Sequence, residues 1–213
     1  MLNSSPTDAP IENPDTISVD GAMKYLSDLK IQLDDIAVLA IGEALQAPTM
    51  GEFTREGFVN GWRALNPSTS ADSLSKQQTT ATHLRAAIPT DPALFRRIYR
   101  HTFQLARTPG QKAVALDAAL EYWRLLFTPP HGCAWSTPGT PWLEWWLEFL
   151  QQRWKKSVNR DMWNMTFEFY RRSREDESLA WWDEQGAWPG VVDEFVAFVK
   201  ERREAGAGEM EVE

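Results

Sequence analysis

The last third of the chain contains RDMWN at Arg160–Asn164, DEQGAWP at Asp183–Pro189 and VVDEFV at Val191–Val196. Around the first and third of these segments, apolar residues recur every three or four positions, which places them on one face of a helix. They are Trp163, Phe167 and Tyr170, followed by Val192, Phe195, Val196 and Val199. The sequence therefore predicts two amphipathic helices that flank an acidic turn.

The same helical spacing extends through the rest of the chain. It is strongest at Phe95, Ile98, Tyr99, Phe103 and Ala106, at Leu116, Leu120, Trp123 and Phe127, and at Trp142, Trp145, Trp146, Phe149 and Leu150. Thr54 is a typical helix-starting residue, and Thr108-Pro109-Gly110 is a typical helix end. No apolar–polar alternation of useful length indicates a strand. We therefore predict an all-α fold.

Composition divides the chain into one helical domain and two polar ends. Residues 1–16 are rich in Ser, Pro, Asn and Asp, so we expect a disordered lead there. Residues 17–200 carry the helical pattern, and we expect residues 201–213 to form a frayed tail. The longest irregular loop should be Thr128–Pro141, which contains four prolines and two glycines.

Charge and residue usage exclude several classes of function. The 213-residue chain has a net charge of -8, whereas a nucleic-acid-binding domain needs a basic face. No apolar run approaches the roughly 18 residues that cross a membrane. A single cysteine fits a reducing compartment, and a polar start without a secretory pattern predicts the cytoplasm and nucleus. We expect a monomer with no nucleic-acid or membrane partner.

No metal, cofactor or catalytic motif is evident in the sequence. His83, His101, His131 and Cys133 are too scattered for a zinc site, and no Gly-rich phosphate-binding loop is present. A helix-loop-helix rhythm leaves a calcium-sensing EF-hand-type interaction module as an alternative, although the loops lack the alternating oxygen ligands and the closing Glu. A hydrolase that uses Cys133 as its nucleophile is a further alternative. We expect no metal and no cofactor.

Two acidic residues and one small residue in the quoted segments form a candidate docking site. Asp161 should lie in the first turn of one helix and Asp193 near the start of the next, with Ala187 in the rigid turn between them. Two carboxylates around a small residue suit a basic partner surface with a protruding side chain. The plainer alternative is that Asp161 stabilises a helix start and Asp193 is a solvated charge. Residue patterns alone favour that alternative.

These segments also carry a family resemblance. The resemblance rests on the order of RDMWN, DEQGAWP and VVDEFV, and on three earlier segments: TMGEFTREGF at Thr49–Phe58, GWRAL at Gly61–Leu65 and ARTPGQK at Ala106–Lys112. The chain resembles the potentiating-neddylation domain of the defective-in-cullin-neddylation family. The resemblance extends from about Asp20 to Val199. It implies a fold of two EF-hand-like helical subdomains without metal. It also implies that the protein is a co-ligase for cullin neddylation, that is, an accessory ligase component without catalytic residues of its own.

The resemblance also assigns partners to two surfaces. It implies that Asp161, Ala187 and Asp193 bind the C-terminal winged-helix region of a cullin, within a half of about residues 106–200. It implies that the other half, about residues 17–105, binds the acetylated N-terminus of the neddylation conjugating enzyme. A cullin-associated RING protein is a further candidate partner. The implied pocket residues are Val38, Ile41, Gly42, Leu45, Ala47, Phe53, Leu105, Tyr122 and Leu125, which periodicity alone would assign to an ordinary core.

Overall fold

The computed structural model describes the backbone of residues 13–66 and 73–210. Within these ranges the chain forms nine α-helices and two strands of two residues each, which confirms the all-α prediction. The helices are α1 (Val19–Asp28), α2 (Ala37–Ala44), α3 (Arg55–Leu65), α4 (Leu74–Ala87), α5 (Pro92–Ala106), α6 (Leu116–Phe127), α7 (Trp142–Phe149), α8 (Arg160–Glu175) and α9 (Gly190–Met210), and a π-helical turn at Leu150–Trp154 follows α7. None of these helices is both long and apolar enough to cross a membrane.

Helix boundaries follow local sequence chemistry. The Thr54 hydroxyl caps α3 by accepting a hydrogen bond from the Gly57 N–H at 3.0 Å, as the sequence predicts. The Asn159 side chain caps α8 in the same way, accepting from the Met162 N–H at 2.8 Å. At the other end of a helix, α5 stops at Ala106 before the Thr108-Pro109-Gly110 segment, because proline cannot donate to the helix.

Two short backbone pairings connect the loops that join the helices. The strands β1 (Thr16–Ile17) and β2 (Phe53–Thr54) pair antiparallel just before α1 and α3. A single antiparallel bridge joins Val114 to Val158 just before α6 and α8, through hydrogen bonds of 2.8 and 2.9 Å. The EF-hand-like description of the two halves remains a prediction.

Helix α5 lies at the centre of the core, where it packs against α2, α6 and α8. The Tyr99 hydroxyl donates to the Trp163 carbonyl at 2.8 Å and accepts from the Trp123 indole at 2.9 Å. The Trp163 indole donates back to the Tyr99 carbonyl at 2.9 Å. These polar atoms are fully buried but paired, so they avoid the cost of unsatisfied hydrogen-bonding groups.

The predicted division at residues 105 and 106 falls at the end of α5. Because α5 contacts helices of both halves, one continuous hydrophobic cluster runs from Ala22 to Val199. A rigid connection between the two ends of the molecule follows from that shared core.

The loop Thr128–Pro141 is irregular, as predicted, but it contributes to the core. The Trp135 side chain is 1% exposed, and its indole donates to the Ser173 hydroxyl of α8 at 3.0 Å. The burial of Trp135 could not be predicted from the sequence pattern, because polar and proline residues lie on either side of it. Trp135 therefore helps to fix the loop to the second half of the core.

The two chain ends differ from their predicted boundaries. Residues 1–12 of the predicted disordered lead lie outside the described residues, but Thr16 already pairs with Thr54 in the small sheet. Helix α9 continues past Lys200, where we predicted fraying, to Met210. Up to Arg203 the reason is side-chain anchoring: the Arg203 guanidinium donates to the Thr140 hydroxyl at 2.7 Å and to the Glu177 carbonyl at 2.8 Å.

Candidate docking surfaces

An apolar cavity of about 200 Å³ opens in the first half of the molecule, between α1, α2, α5 and the segment before β2. Five of the nine predicted pocket residues line it, and they come from three separate parts of the chain. These residues are Val38, Gly42, Ala47, Phe53 and Leu105. Gly42 packs closely against Leu105 here: a Cβ atom at this position would lie 2.9 Å from Leu105 Cδ1, so the leucine side chain would have to shift.

The rim of this apolar cavity consists of residues that the sequence analysis missed. Val19 and Met23 of α1 and Leu33 of the α1–α2 connection line the cavity and are 46%, 39% and 59% exposed. They are three of the five large hydrophobic side chains that are exposed in the described part of the chain. Clustered exposed apolar residues mark binding surfaces. Helix periodicity could not identify them, because it assigns such residues to the core or to scattered surface positions.

Two other predicted pocket residues are buried and do not line the cavity. Ile41 and Leu45 are both 0% exposed and belong to the hydrophobic core. Val38 and Gly42 of α2 line the cavity, whereas Ile41 and Leu45 of the same segment are core residues.

Tyr122 and Leu125 lie on α6, away from the lining of the apolar cavity. Leu125 lines a neighbouring cleft of about 370 Å³ together with Asp34 and Asp35. Tyr122 is half-buried, and burial raises the pKa of its hydroxyl. The segment of residues 32–38 separates the two openings, since Leu33 lines the apolar cavity and Asp34 lines the cleft. Of the nine predicted pocket residues, five therefore line the cavity and Leu125 lines the adjoining cleft, while Ile41, Leu45 and Tyr122 line neither.

The carboxylate patch, which we define as Asp161, Ala187 and Asp193, lies in the second half. Asp161 is in the first turn of α8 and Asp193 in the first turn of α9, where a negative charge favours the positive end of the helix dipole. Ala187 is exposed in the connecting turn, and Asp161 is exposed as well. In the described ranges the Asp161 carboxylate has no hydrogen-bond or ion-pair partner, so it is available to a partner.

Asp193 is held in place by a tryptophan. The Trp182 indole donates to the Asp193 carboxylate at 3.2 Å, and Lys200 lies above the Trp182 ring at 4.6 Å. This arrangement orients the carboxylate while leaving it partly exposed. Asp193 is therefore a fixed acceptor, in contrast to the freely solvated Asp161.

The turn that carries Ala187 lies beside α8, the helix that begins with Asp161. Asp161 and Arg172 are separated by about three helical turns, which places them on one side of α8 about 16 Å apart along its axis. The Arg172 guanidinium lies 5.6 Å from the ring centres of both Trp181 and Trp188, which flank Ala187 in the turn. The turn therefore lies beside the later part of α8, with Asp161 at its beginning. The spacing of the patch fits one protein interface rather than one small-molecule site.

The remaining reactive side chain gives little support to nucleophilic chemistry. Cys133 is 9% exposed, its thiol donates weakly to the Ile88 carbonyl at 3.6 Å, and burial raises the pKa of that thiol. A cysteine nucleophile reacts as the thiolate, which a raised pKa disfavours. In the described residues, no group of three His, Cys, Asp or Glu side chains is close enough to hold a metal ion.

Comparison with known proteins agrees with the order of the sequence motifs. A family model described as "Cullin binding" matches residues 76–198. Defective in cullin neddylation protein 1 of Pyricularia oryzae is 36% identical over 211 residues, covering 95% of this chain and 74% of that protein. The protein of the same name from Yarrowia lipolytica is 36% identical, with 88% and 72% covered. DCN1-like protein 5 of Rattus norvegicus is 30% identical, with 89% and 73% covered. The chain therefore belongs to the cullin-binding family of defective-in-cullin-neddylation proteins.

Proposed function

We propose that this protein is a non-catalytic co-ligase that promotes transfer of a ubiquitin-like modifier from its conjugating enzyme to a cullin lysine. The observation that carries the proposal is the presence of two accessible surfaces of different chemistry, the apolar cavity and the carboxylate patch, on one continuous core. The names of its relatives connect the family with cullin neddylation. We expect the protein to act as a monomer in the cytoplasm and nucleus, where a cullin also brings its RING protein.

The apolar cavity receives the acetylated N-terminal methionine of the conjugating enzyme. Its lining is almost wholly apolar, with Thr49 as the polar exception. A free N-terminal amine would carry a positive charge into this cavity, and burial of an unpaired charge is costly. Acetylation removes the charge. The residues that follow the methionine form a helix in the adjoining groove, beside Asp34 and Leu125.

The carboxylate patch receives the C-terminal winged-helix region of the cullin. Basic cullin side chains pair with Asp161 and Asp193, and the small Ala187 leaves room for an apolar side chain between them. Asp161 needs no rearrangement because it has no competing partner in the described chain, whereas Asp193 is already oriented by Trp182. Such charge pairs set the register of a complex and its rate of formation.

The rate effect arises from orientation. A molecule that binds the cullin and the conjugating enzyme together raises their effective concentration and restricts the approach of the lysine to the thioester. The core shared through α5 keeps the two binding surfaces at a fixed separation. No proton transfer or nucleophilic step is assigned to this chain.

The cavity is tested by Leu33→Arg, compared with Val59→Arg as a control. Both side chains are exposed, at 59% and 38%, but Leu33 lines the cavity and Val59 does not. We expect Leu33→Arg to weaken binding of an acetylated N-terminal peptide of the conjugating enzyme by about tenfold, because about 1.5 kcal/mol of apolar contact is lost. Equal affinity of the acetylated and free peptides for the unmodified protein would refute this assignment.

The patch is tested by Asp161→Arg, compared with Glu144→Arg. Glu144 is also an exposed carboxylate in the first turn of a helix, so both variants lose the same kind of helix-dipole contact. Asp161→Arg and Ala187→Arg should each reduce binding of a cullin C-terminal fragment and the rate of its modification, while Glu144→Arg leaves both unchanged. If the patch variants bind the cullin normally, the cullin is bound elsewhere.

A further inference from the structure

Six arginines form a basic strip along the α5–α8 contact, on a protein whose net charge is -8. We define this arginine strip as Arg96, Arg100, Arg107, Arg160, Arg171 and Arg174. Arg96 and Arg100 lie one turn apart on α5 and Arg107 directly follows its end, while Arg160, Arg171 and Arg174 recur at helical spacing along α8. Neither proposed docking surface includes these residues.

Contacts between the two helices show that the strip is continuous. At one end, Arg107 and Arg160 both lie over the Phe103 ring, 5.7 and 5.2 Å from its centre. Farther along, Arg96 and Arg171 both approach Glu168 at 3.8 Å. The helices therefore run antiparallel, so the start of α8 lies at the end of α5. The strip extends from Arg160 to Arg174, which is about 21 Å along α8.

The strip has more positive than negative charge. Its carboxylate partners are Glu168 and Glu175, and all three ion pairs they make are long, at 3.8 Å. Within the described ranges Arg100 and Arg174 have no carboxylate partner. Arg174 instead donates to the Tyr170 hydroxyl at 2.7 Å. Exposed guanidinium groups with weak or absent internal partners can bind external carboxylates in bidentate geometry.

A cleft of about 640 Å³ lies at the Arg174 end of the strip. Its apolar part includes Phe95, Phe167 and Tyr170, and its charged lining consists of Arg96, Arg171 and Arg174 with one carboxylate, Glu175. The cleft thus combines a hydrophobic floor with a basic edge. This combination suits a large apolar side chain flanked by acidic residues.

We infer that the arginine strip and its cleft bind an acidic segment of a partner protein, with one large apolar side chain of that segment inserted into the cleft. A strip of about 21 Å accommodates about six extended residues. The inference concerns a third surface and does not depend on the cullin or conjugating-enzyme assignments.

A protein segment fits this surface better than a nucleic acid does. The overall negative charge opposes the approach of a polyanion that extends beyond the strip. Phe95, Phe167 and Tyr170 lie together in the one cleft at the Arg174 end of the strip, so they cannot act as stacking platforms for successive bases along it. Glu168 and Glu175 also interrupt the basic surface.

The test measures fluorescence anisotropy of labelled peptides of about six residues. One probe contains glutamates with a central phenylalanine, the second replaces that phenylalanine with serine, and the third contains lysines with a central phenylalanine. We expect the first probe to bind most tightly and the third most weakly. Salt should weaken binding of the first probe. The third probe separates charge recognition from general apolar adhesion.

Three variants assign the binding to the strip and the cleft. Arg96→Glu and Arg174→Glu should each weaken binding of the first probe by about tenfold, since a charge-assisted contact becomes repulsive. Arg63→Glu makes the same charge change on exposed α3 and should have no effect. Ala93→Trp, at an exposed position that lines the cleft, should make the phenylalanine and serine probes bind equally.

Several outcomes would overturn the inference. These are equal binding of the acidic and basic probes, an equal effect of Arg63→Glu and Arg96→Glu, or unchanged discrimination by Ala93→Trp. Tighter binding of a thymidine oligonucleotide than of the first peptide would assign the strip to nucleic acid instead. Circular dichroism of each variant establishes that lost binding does not reflect lost folding.

Discussion

Tyr99 connects three helices through a single hydroxyl group. Replacing it with phenylalanine leaves the buried Trp123 indole without its acceptor and removes the hydrogen bond to the Trp163 carbonyl. We expect Tyr99→Phe to lower the free energy of unfolding by about 1–3 kcal/mol, measured by urea denaturation. Tyr122→Phe is the control, because the Tyr122 hydroxyl has no hydrogen bond in the described chain. Equal effects of the two variants would mean that this hydrogen-bonded pair is not important for stability.

Single residues also show what the sequence can and cannot reveal about the sites. Asp161 and Asp193 were placed correctly at two helix starts, because helix periodicity and the Pro189 corner define those starts. Leu33 was missed, although it is 59% exposed beside the cavity. An exposed leucine and a buried leucine look alike in a sequence. Their difference depends on which helices meet above them, and that is a tertiary property.

At the scale of elements, the sequence is least informative where charged or irregular segments join the core. The tail after Lys200 is rich in charged residues, which is typical of fraying. In the structure the Arg203 guanidinium instead lies 5.3 Å from the centre of the Trp142 ring, and Arg202 lies 5.0 Å from that of Phe198. Cation–π contacts allow charged residues to extend a helix over an aromatic core, and spacing along the chain does not predict them.

Arg203 therefore links the end of α9 to the Thr128–Pro141 loop. Arg203→Ala removes the hydrogen bonds to the Thr140 hydroxyl and the Glu177 carbonyl. Since the donor is charged but half-exposed, we expect a loss of about 1–2 kcal/mol in the free energy of unfolding. Glu204→Ala, at an exposed position of the same helix, should change it by less than about 0.5 kcal/mol. Thermal and urea denaturation of both variants would check this, and similar losses would contradict it.

At the scale of the whole molecule, buried tyrosines should make stability sensitive to alkaline pH. Burial raises the pKa of Tyr25, Tyr99 and Tyr170 above the ordinary value. The folded state then retains protons that the unfolded state loses, so their contribution to stability is complete below about pH 10 and is lost as the pH rises above it. Urea midpoints should fall between about pH 8 and about pH 11. Tyr99→Phe should show a smaller fall, and an identical fall would exclude Tyr99 as a source.

The proposed mechanism requires both surfaces to be on one molecule. Leu33→Arg weakens binding at the cavity and Asp161→Arg weakens binding at the patch, and each variant retains the other surface. If orientation on a monomer produces the rate effect, a mixture of the two variants should fail to restore cullin modification, because no single molecule then binds both partners. Excess unmodified protein should also slow the reaction by binding the partners on separate molecules. Restored activity in the mixture would show that two copies act together, whereas undiminished activity at excess protein would show that tethering is not the source of the rate.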